Sequence, residues 1–390
     1  MSITKLFHEF FESEKGGVLL ILCTIISLLL ANSSIQESYL GIWHYQIAGL
    51  STENWINEGL MAIFFFLIGL ELKREIFVGE LSNLKNALLP VFAAVGGMLI
   101  PAAIFTFFNY GTPTQAGAGI PMATDIAFAI GVLSLLGSRI PSSLKILLTA
   151  IAVIDDLGAI LVIAIFYTTS LSLFNLFIVV FIFGVLMVLN KLKINYLLVY
   201  LIGGIFMWYF MLHSGVHATL AGILLAFAIP FGKGEKTSLS YILQDWLHKP
   251  VSIIILPLFA LANTAIVFGN NWDTGLAAPG SIGIFAGLII GKPAGVILFS
   301  FLAVILGIST LPKGLTWKQV LGIGFLAGIG FTMSIFITLL AYDHAETITE
   351  SKISILLASL ASGILGFLWL RHSLKKPPIK IIAEINNLPK

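Results

Sequence analysis

Charge is what this sequence has least of. Only 10% of its 390 residues are Asp, Glu, Lys or Arg, where a soluble domain carries roughly a quarter. With 58% apolar residues and a mean hydropathy of +1.02, the chain is excluded from the water-soluble globular class. The net charge of +2 is too small for a nucleic-acid binder. A single cysteine, Cys23, rules out an internal disulfide and a cysteine-based metal site; packing is its default role. Period-two alternation is also missing. Runs such as GVLLILCTIISLLLA (17–31) are continuously apolar, which excludes a membrane β-barrel. The first 15 residues lack a basic stretch and a small-x-small cleavage site, so they are not read as a cleavable signal. They are expected to form a short amphipathic helix on the membrane surface.

What is present is a series of apolar stretches near the length needed to cross a bilayer. Lipid offers no hydrogen bonds to the backbone, so each is expected to be a helix. About twelve spans are placed, near 16–31, 58–72, 87–108, 117–136, 144–167, 173–189, 196–212, 216–230, 250–268, 282–306, 320–342 and 353–370. If loops alternate sides, all 21 Lys and Arg except Lys292 and Lys352 fall on one side. The positive-inside rule then places both termini, including a 371–390 tail, in the cytoplasm. No linker or soluble domain interrupts the spans, so 1–390 is expected to be one transmembrane domain in contact with membrane lipid.

Four ionisable residues sit near the middle of expected spans: Asp125, Asp155, Asp156 and Lys292. Each costs ~3 kcal/mol at the centre of a lone helix, so they persist only by facing one another, water or an ion. A buried ion pair that locks helices together would account for one Lys and one Asp. Two further carboxylates remain, and an unpaired buried carboxylate either holds a proton or awaits a cation. Asp155 and Asp156 are adjacent on a helix, so their side chains diverge by about 100° and serve different neighbours. A hard cation such as Na⁺ takes oxygen donors of this kind.

The fourth and eleventh spans carry helix breakers at their centres. GAGIPMATDIAFAIGVL places Gly117, Gly119 and Pro121 before Thr124 and Asp125. VLGIGFLAGIGFTMSIF places Gly322, Gly324, Gly328 and Gly330 before Thr332 and Ser334. Proline removes a helix hydrogen bond and clashes with the preceding turn; glycine-mediated helix packing is the other reading of the eleventh span. Each segment is the middle of a triplet, over 87–167 and 282–370, and the two triplets insert upside down relative to each other. That is the inverted-repeat plan, with interrupted helices crossing at mid-membrane. Facing half-helix N-ends would need a negative group and facing C-ends a positive one; Asp125 and Lys292 suit those tasks.

ATDIAFAIGVL, AVIDDLGAI, SGVHATLAG, GKPAG and GIGFTMSIF occur here in that order, with FFFLIGLELKRE and LGSRIPSSLK. In these blocks, and in a likeness that runs from about Gly16 to Arg371, the chain resembles the NhaA-type Na⁺/H⁺ antiporters. The resemblance implies a secondary transporter rather than an enzyme, exchanging Na⁺ or Li⁺ for H⁺ electrogenically by alternating access. It implies a homodimer in the bacterial inner membrane that controls internal pH and sodium without a resident cofactor. The polar segment between the first two spans would carry the dimer contact. Asp156 would be the principal ion-binding carboxylate, Asp155 its neighbour associated with Lys292, and Asp125 and Thr124 the contribution of the broken fourth span. Lys292 would balance charge there.

By the same resemblance His217 is a pH-response residue; a hydrogen-bonded structural histidine is the competing reading. Glu71, Arg74 and Glu75 would belong to a pH-sensing cytoplasmic funnel. A solvated helix end, with Lys73 among its charges, is the plainer alternative. Glu58 stands where some members have Asp. One departure is Gln244, in LQDWLHKP, where the family pattern has a titratable glutamate; Asp245 or His248 could substitute. Other classes weighed are a sodium-coupled symporter of an organic anion, an intramembrane aspartyl protease and a passive channel. The first needs more room and donors for an anion, the second needs a GxGD-type context and leaves Lys292 unexplained, and the third would not need a protonatable centre.

Overall fold

The computed structural model describes residues 3–168, 171–232, 234–269, 273–312 and 314–374. The side chains of the expected surface helix and most of the 371–390 tail lie outside what is described. The described chain is predominantly helical. Its helices are α1 (Ile3–Ala31), α2 (Gln36–His44), α3 (Thr52–Phe77), α4 (Leu84–Asn109), α5 (Gln115–Ser134), α6 (Ser142–Phe166), α7 (Leu173–Lys191), α8 (Leu197–Leu212), α9 (Leu220–Ala228), α10 (Leu239–Asn263), α11 (Pro279–Ile305), α12 (Trp317–Ala327), α13 (Phe331–Ala341) and α14 (Ala345–Ser373).

All twelve expected stretches contain helix, but not all are long enough to cross a bilayer alone. Among the described residues eight helices qualify by length and apolarity, and up to ten if two bent pairs count as single spans. One pair is the apolar part of α1 with α2, bent by 117°; the other is α12 with α13, bent by 48°. α8 is apolar but shorter, and α9 has nine residues. Outward faces are apolar: Phe107, Phe174, Phe181, Leu198 and Ile205 are exposed. In a chain this poor in charge, such faces are solvated by lipid tails.

The loop expected over 32–57 holds structure of its own. Beyond α2, β1 (Gln46–Ile47) pairs antiparallel with β2 (Leu50–Ser51), Gln46 opposite Ser51. Among the described residues three helices contain a π-helical turn: Trp55–Leu60 in α3, Val251–Ile255 after Pro250 in α10, and Gly287–Gly291 in α11. The last ends immediately before Lys292. Such bulges are frequent at functional sites.

α11 lies along α4 and α9 along α3 at backbone contact. A Cβ on Gly96 would fall 2.3 Å from the Gly295 carbonyl, and one on Gly295 would fall 2.1 Å from the Gly96 carbonyl. Small residues let membrane helices approach this closely. The first helices of the two expected triplets are thus pressed together, and α5 lies against α13.

Candidate functional site

α5 changes character at its centre. Gln115–Met122 is a 3₁₀ half containing Pro121, and Ile126–Ser134 is an α-helical half. Residues 123–125 between them are extended. Asp125 is the N-cap of the α half and accepts from the Phe128 amide at 3.0 Å. On the other side, α12 ends at Ala327 and α13 begins at Phe331, with Gly328–Gly330 between them. Ser359 of α14 accepts from the amides of Gly330 and Phe331, at 3.2 and 3.1 Å.

The two breaks lie against each other. The Asp125 amide donates to the Ile329 carbonyl at 2.7 Å. The second Asp125 carboxylate oxygen accepts from the Thr332 amide at 3.1 Å and from the Thr332 hydroxyl. One carboxylate therefore serves two helix N-ends, which stabilises its negative charge by hydrogen bonds and by both dipoles. The C-ends are met as well. Lys292 Nζ donates to the Met122 carbonyl at the end of the 3₁₀ half. The Thr124 hydroxyl lies 2.8 Å from the Ala327 carbonyl at the end of α12. Ser334 donates to the Ile120 carbonyl at 2.7 Å and ties α13 to the same half-helix.

Asp155 and Asp156 sit on α6 beside these breaks and, as their adjacency requires, face different neighbours. Asp155 forms an ion pair with Lys292 at 2.6 Å, both side chains fully buried, and lies 2.7 Å from the Thr124 hydroxyl. The Asp156 side chain makes no hydrogen bond among the described residues, and its Oδ1 is buried without a partner. Asp155, Asp125, Glu71 and Lys292 are all within electrostatic range of it. Buried polar atoms nearly always have partners. At a buried carboxylate without one, amid like charges, a proton or a cation would be stabilised.

A cavity of about 830 Å³ leads toward this centre. Its wall includes Glu71, Arg74 and Glu75 from α3, and Gln244, Asp245 and His248 from α10. Its inner end reaches Ile126 and Val153, close in sequence to Asp125 and to Asp155. Four of the five expected pH-response residues, Glu71, Arg74, Glu75 and His248, thus share one polar vestibule. Arg74 also lies over the Tyr241 ring at 5.3 Å. His217 stands apart from them. Its Nε2 is 3.0 Å from the Tyr167 carbonyl, and its Nδ1 is 3.9 Å from Glu58.

Lys73 corrects an expectation. It is not part of a solvated helix end but 5% exposed. Its Nζ donates to the carbonyls of Ala226, Phe227 and Ile229 at 3.3, 2.8 and 2.6 Å, capping the C-terminus of α9. Sequence reasoning also passed over Tyr167, Tyr342 and Ser359, which hold the broken segments through backbone atoms. No motif marks such a residue; the only hint is a lone polar side chain at the edge of an apolar run.

Interrupted helices that meet at buried carboxylates inside a multi-pass bundle are the construction of a secondary transporter. The chain's relatives narrow that class. A family model described as Na⁺/H⁺ antiporter 1 matches residues 8–370. A Na⁺/H⁺ antiporter NhaA of Flavobacterium psychrophilum is 63% identical over 97% of this chain and 99% of its own. One from Cytophaga hutchinsonii is 58% identical over 98% and 100%. An NhaA 1 from Flavobacterium johnsoniae is 60% identical over 96% and 98%. The chain belongs to this Na⁺/H⁺ antiporter family.

Proposed function

We propose that this protein exchanges Na⁺ or Li⁺ for H⁺ across the bacterial inner membrane, with Asp156 as the principal carboxylate for the transported ion. The observation that carries this reading is the partnerless Asp156 oxygen beside a neutralised Asp155–Lys292 pair. Asp125 and Thr124 supply further oxygen donors from the broken α5, and Lys292 balances charge. Protons and the metal cation compete for the same carboxylates, and only a loaded site changes sides. Exchange is electrogenic, with more H⁺ than Na⁺ crossing per cycle, and it regulates internal pH and sodium. An organic-anion symporter finds no support, because the one cation at the centre, Lys292, is already engaged by Asp155 and the Met122 carbonyl.

In this reading the chain makes twelve spans with both termini cytoplasmic. α8 and the short α9 count as spans, and 87–167 and 282–370 are inverted repeats whose broken helices cross at mid-membrane. The β1–β2 segment supplies a homodimer contact. Glu71, Arg74, Glu75, His248 and His217 tune activity to pH, and Gln244 makes the vestibule less titratable than the family pattern. The test is to add Na⁺ to acidified everted vesicles and record luminal pH. Alkalinisation is expected, and its loss in Asp156→Ala. Persistence in the variant would remove the site assignment; no response to Na⁺ or Li⁺ would remove the antiport reading.

A further inference from the structure

Tyr167, the residue that ends α6, is used twice by its neighbours. Its hydroxyl accepts from the Gly119 amide at 3.3 Å and donates to the Ala116 carbonyl at 2.8 Å. Both partners lie in the 3₁₀ half of α5. The fit leaves no slack: a Cβ on Gly119 would sit 2.7 Å from that hydroxyl. The Tyr167 carbonyl faces the other way and accepts from His217 Nε2 at 3.0 Å.

That second contact fixes the chemistry of the histidine. A carbonyl can only accept, so Nε2 carries the hydrogen and Nδ1 is the atom left to gain a proton. Nδ1 points at Glu58 Oε1, 3.9 Å away, and the other Glu58 oxygen is buried without a hydrogen bond among the described residues. Among the described residues the titratable side chain facing His217 is thus Glu58 from α3; Tyr167 offers it a backbone carbonyl, its phenol being turned to the 3₁₀ half of α5. His213, at the end of α8, is bound instead to the Tyr209 carbonyl. A proton on Nδ1 would turn the 3.9 Å approach into an ion pair and draw the ring toward α3. The Tyr167 carbonyl is held by that ring, and its hydroxyl is stitched into the half-helix that ends at Met122, where Lys292 docks.

We infer that Tyr167 is a positioning residue that links the His217–Glu58 pair to the ion centre through the 3₁₀ half of α5. The inference rests on the antiport reading and on the pH-response role given to His217. Coupling between such distinct sites is carried by contiguous networks with alternative arrangements. Here the path is covalent backbone plus the hydroxyl and carbonyl of one residue.

The test measures Na⁺-driven pH change in everted vesicles over a range of pH, for the full-length protein and its variants. Tyr167→Phe keeps the ring and the carbonyl and removes only the hydroxyl. It is expected to move the midpoint of the pH profile by about half a unit and to raise the apparent KM for Na⁺ on the order of fivefold. His217→Gln keeps a donor and removes the titration, and it is expected to move the midpoint too. Combined, the two changes should shift the midpoint no further than Tyr167→Phe alone. Gly119→Ala crowds the same hydroxyl from the opposite side and should reproduce the shift, which keeps the test available if Tyr167→Phe does not insert. Tyr342→Phe removes another hydroxyl that holds the same half-helix, through Thr114, but one that does not touch His217; whatever it does to the rate, it should leave the midpoint in place.

Additive shifts, a wild-type profile in Tyr167→Phe, or an equal shift in Tyr342→Phe would each overturn the inference. A wild-type profile in His217→Gln would remove the histidine's pH role and the inference with it. Absence of Na⁺-driven exchange in the wild type would instead remove the antiport reading, a distinct failure.

Discussion

The two broken helices solve the same problem with different chemistry. The break in α5 carries a proline, a hydroxyl and a carboxylate. The break between α12 and α13 carries glycines and contributes only neutral groups: the Thr332 amide and hydroxyl and the carbonyls of Ala327 and Ile329. Two exposed helix ends in a membrane could each have brought a counter-charge of their own. Here one carboxylate, Asp125, serves both N-ends. Fewer buried charges lower the insertion cost and leave Asp156 without a capping task, as the proposed ion site requires.

This asymmetry can be attacked from several sides. Asp156→Ala should give the largest loss, at least about a hundredfold in exchange rate, read as Na⁺-driven alkalinisation of vesicles. Next comes Lys292→Met, which strands the Asp155 carboxylate in a buried site at a cost of about 3–5 kcal/mol. The melting temperature in detergent should fall, and adding Asp155→Asn should recover most of it. Failure to recover would mean that Asp155 and Lys292 are not each other's main partners.

The asymmetry itself is sharpened by comparing Asp125→Asn with Thr332→Val. The first removes the charge shared by both N-ends. The second removes one of its donors and leaves the Thr332 amide in place. Thr332→Val should therefore retain measurable exchange with a modest KM increase, while Asp125→Asn loses most of it. Equal losses would mean that the second break contributes as much as the first.

Competition for one site also fixes a sign. Raising pH removes the rival proton, so the apparent KM for Na⁺ should fall as pH rises, about tenfold per unit while one proton is displaced. A flat KM would contradict shared carboxylates. The smallest effect is expected at the rim: Gln244→Glu should move the pH midpoint by about 0.3 unit, the scale of a solvated charge, and leave the maximal rate unchanged.

The centre was legible because its residues break rules. Charges in apolar runs, and proline and glycine at the centres of two expected spans, stand out against a monotonous background. Their physical costs demanded the partners that the structure supplies. The rest broke no rule. Lys73 sat among charges at a helix end and gave no sign that it folds back onto three carbonyls of α9. Tyr167 and Ser359 act on backbone atoms far away in the chain, which no local pattern encodes. The hairpin of β1 and β2 is too short for a periodic signal. α8 and α9 were placed by hydropathy alone, and hydropathy does not report where a short helix stops.

The interlocked carbonyls at Gly96 and Gly295 reach beyond packing. Backbones this close cannot slide past each other without collision, so in the proposed exchange cycle α4 and α11 would travel as a single plank. Lys292 rides on that plank and grips both Asp155 on α6 and the end of the 3₁₀ segment. In that cycle the rearrangement that turns the ion from one face of the membrane to the other would find its seam elsewhere, between this plank and the elements around it.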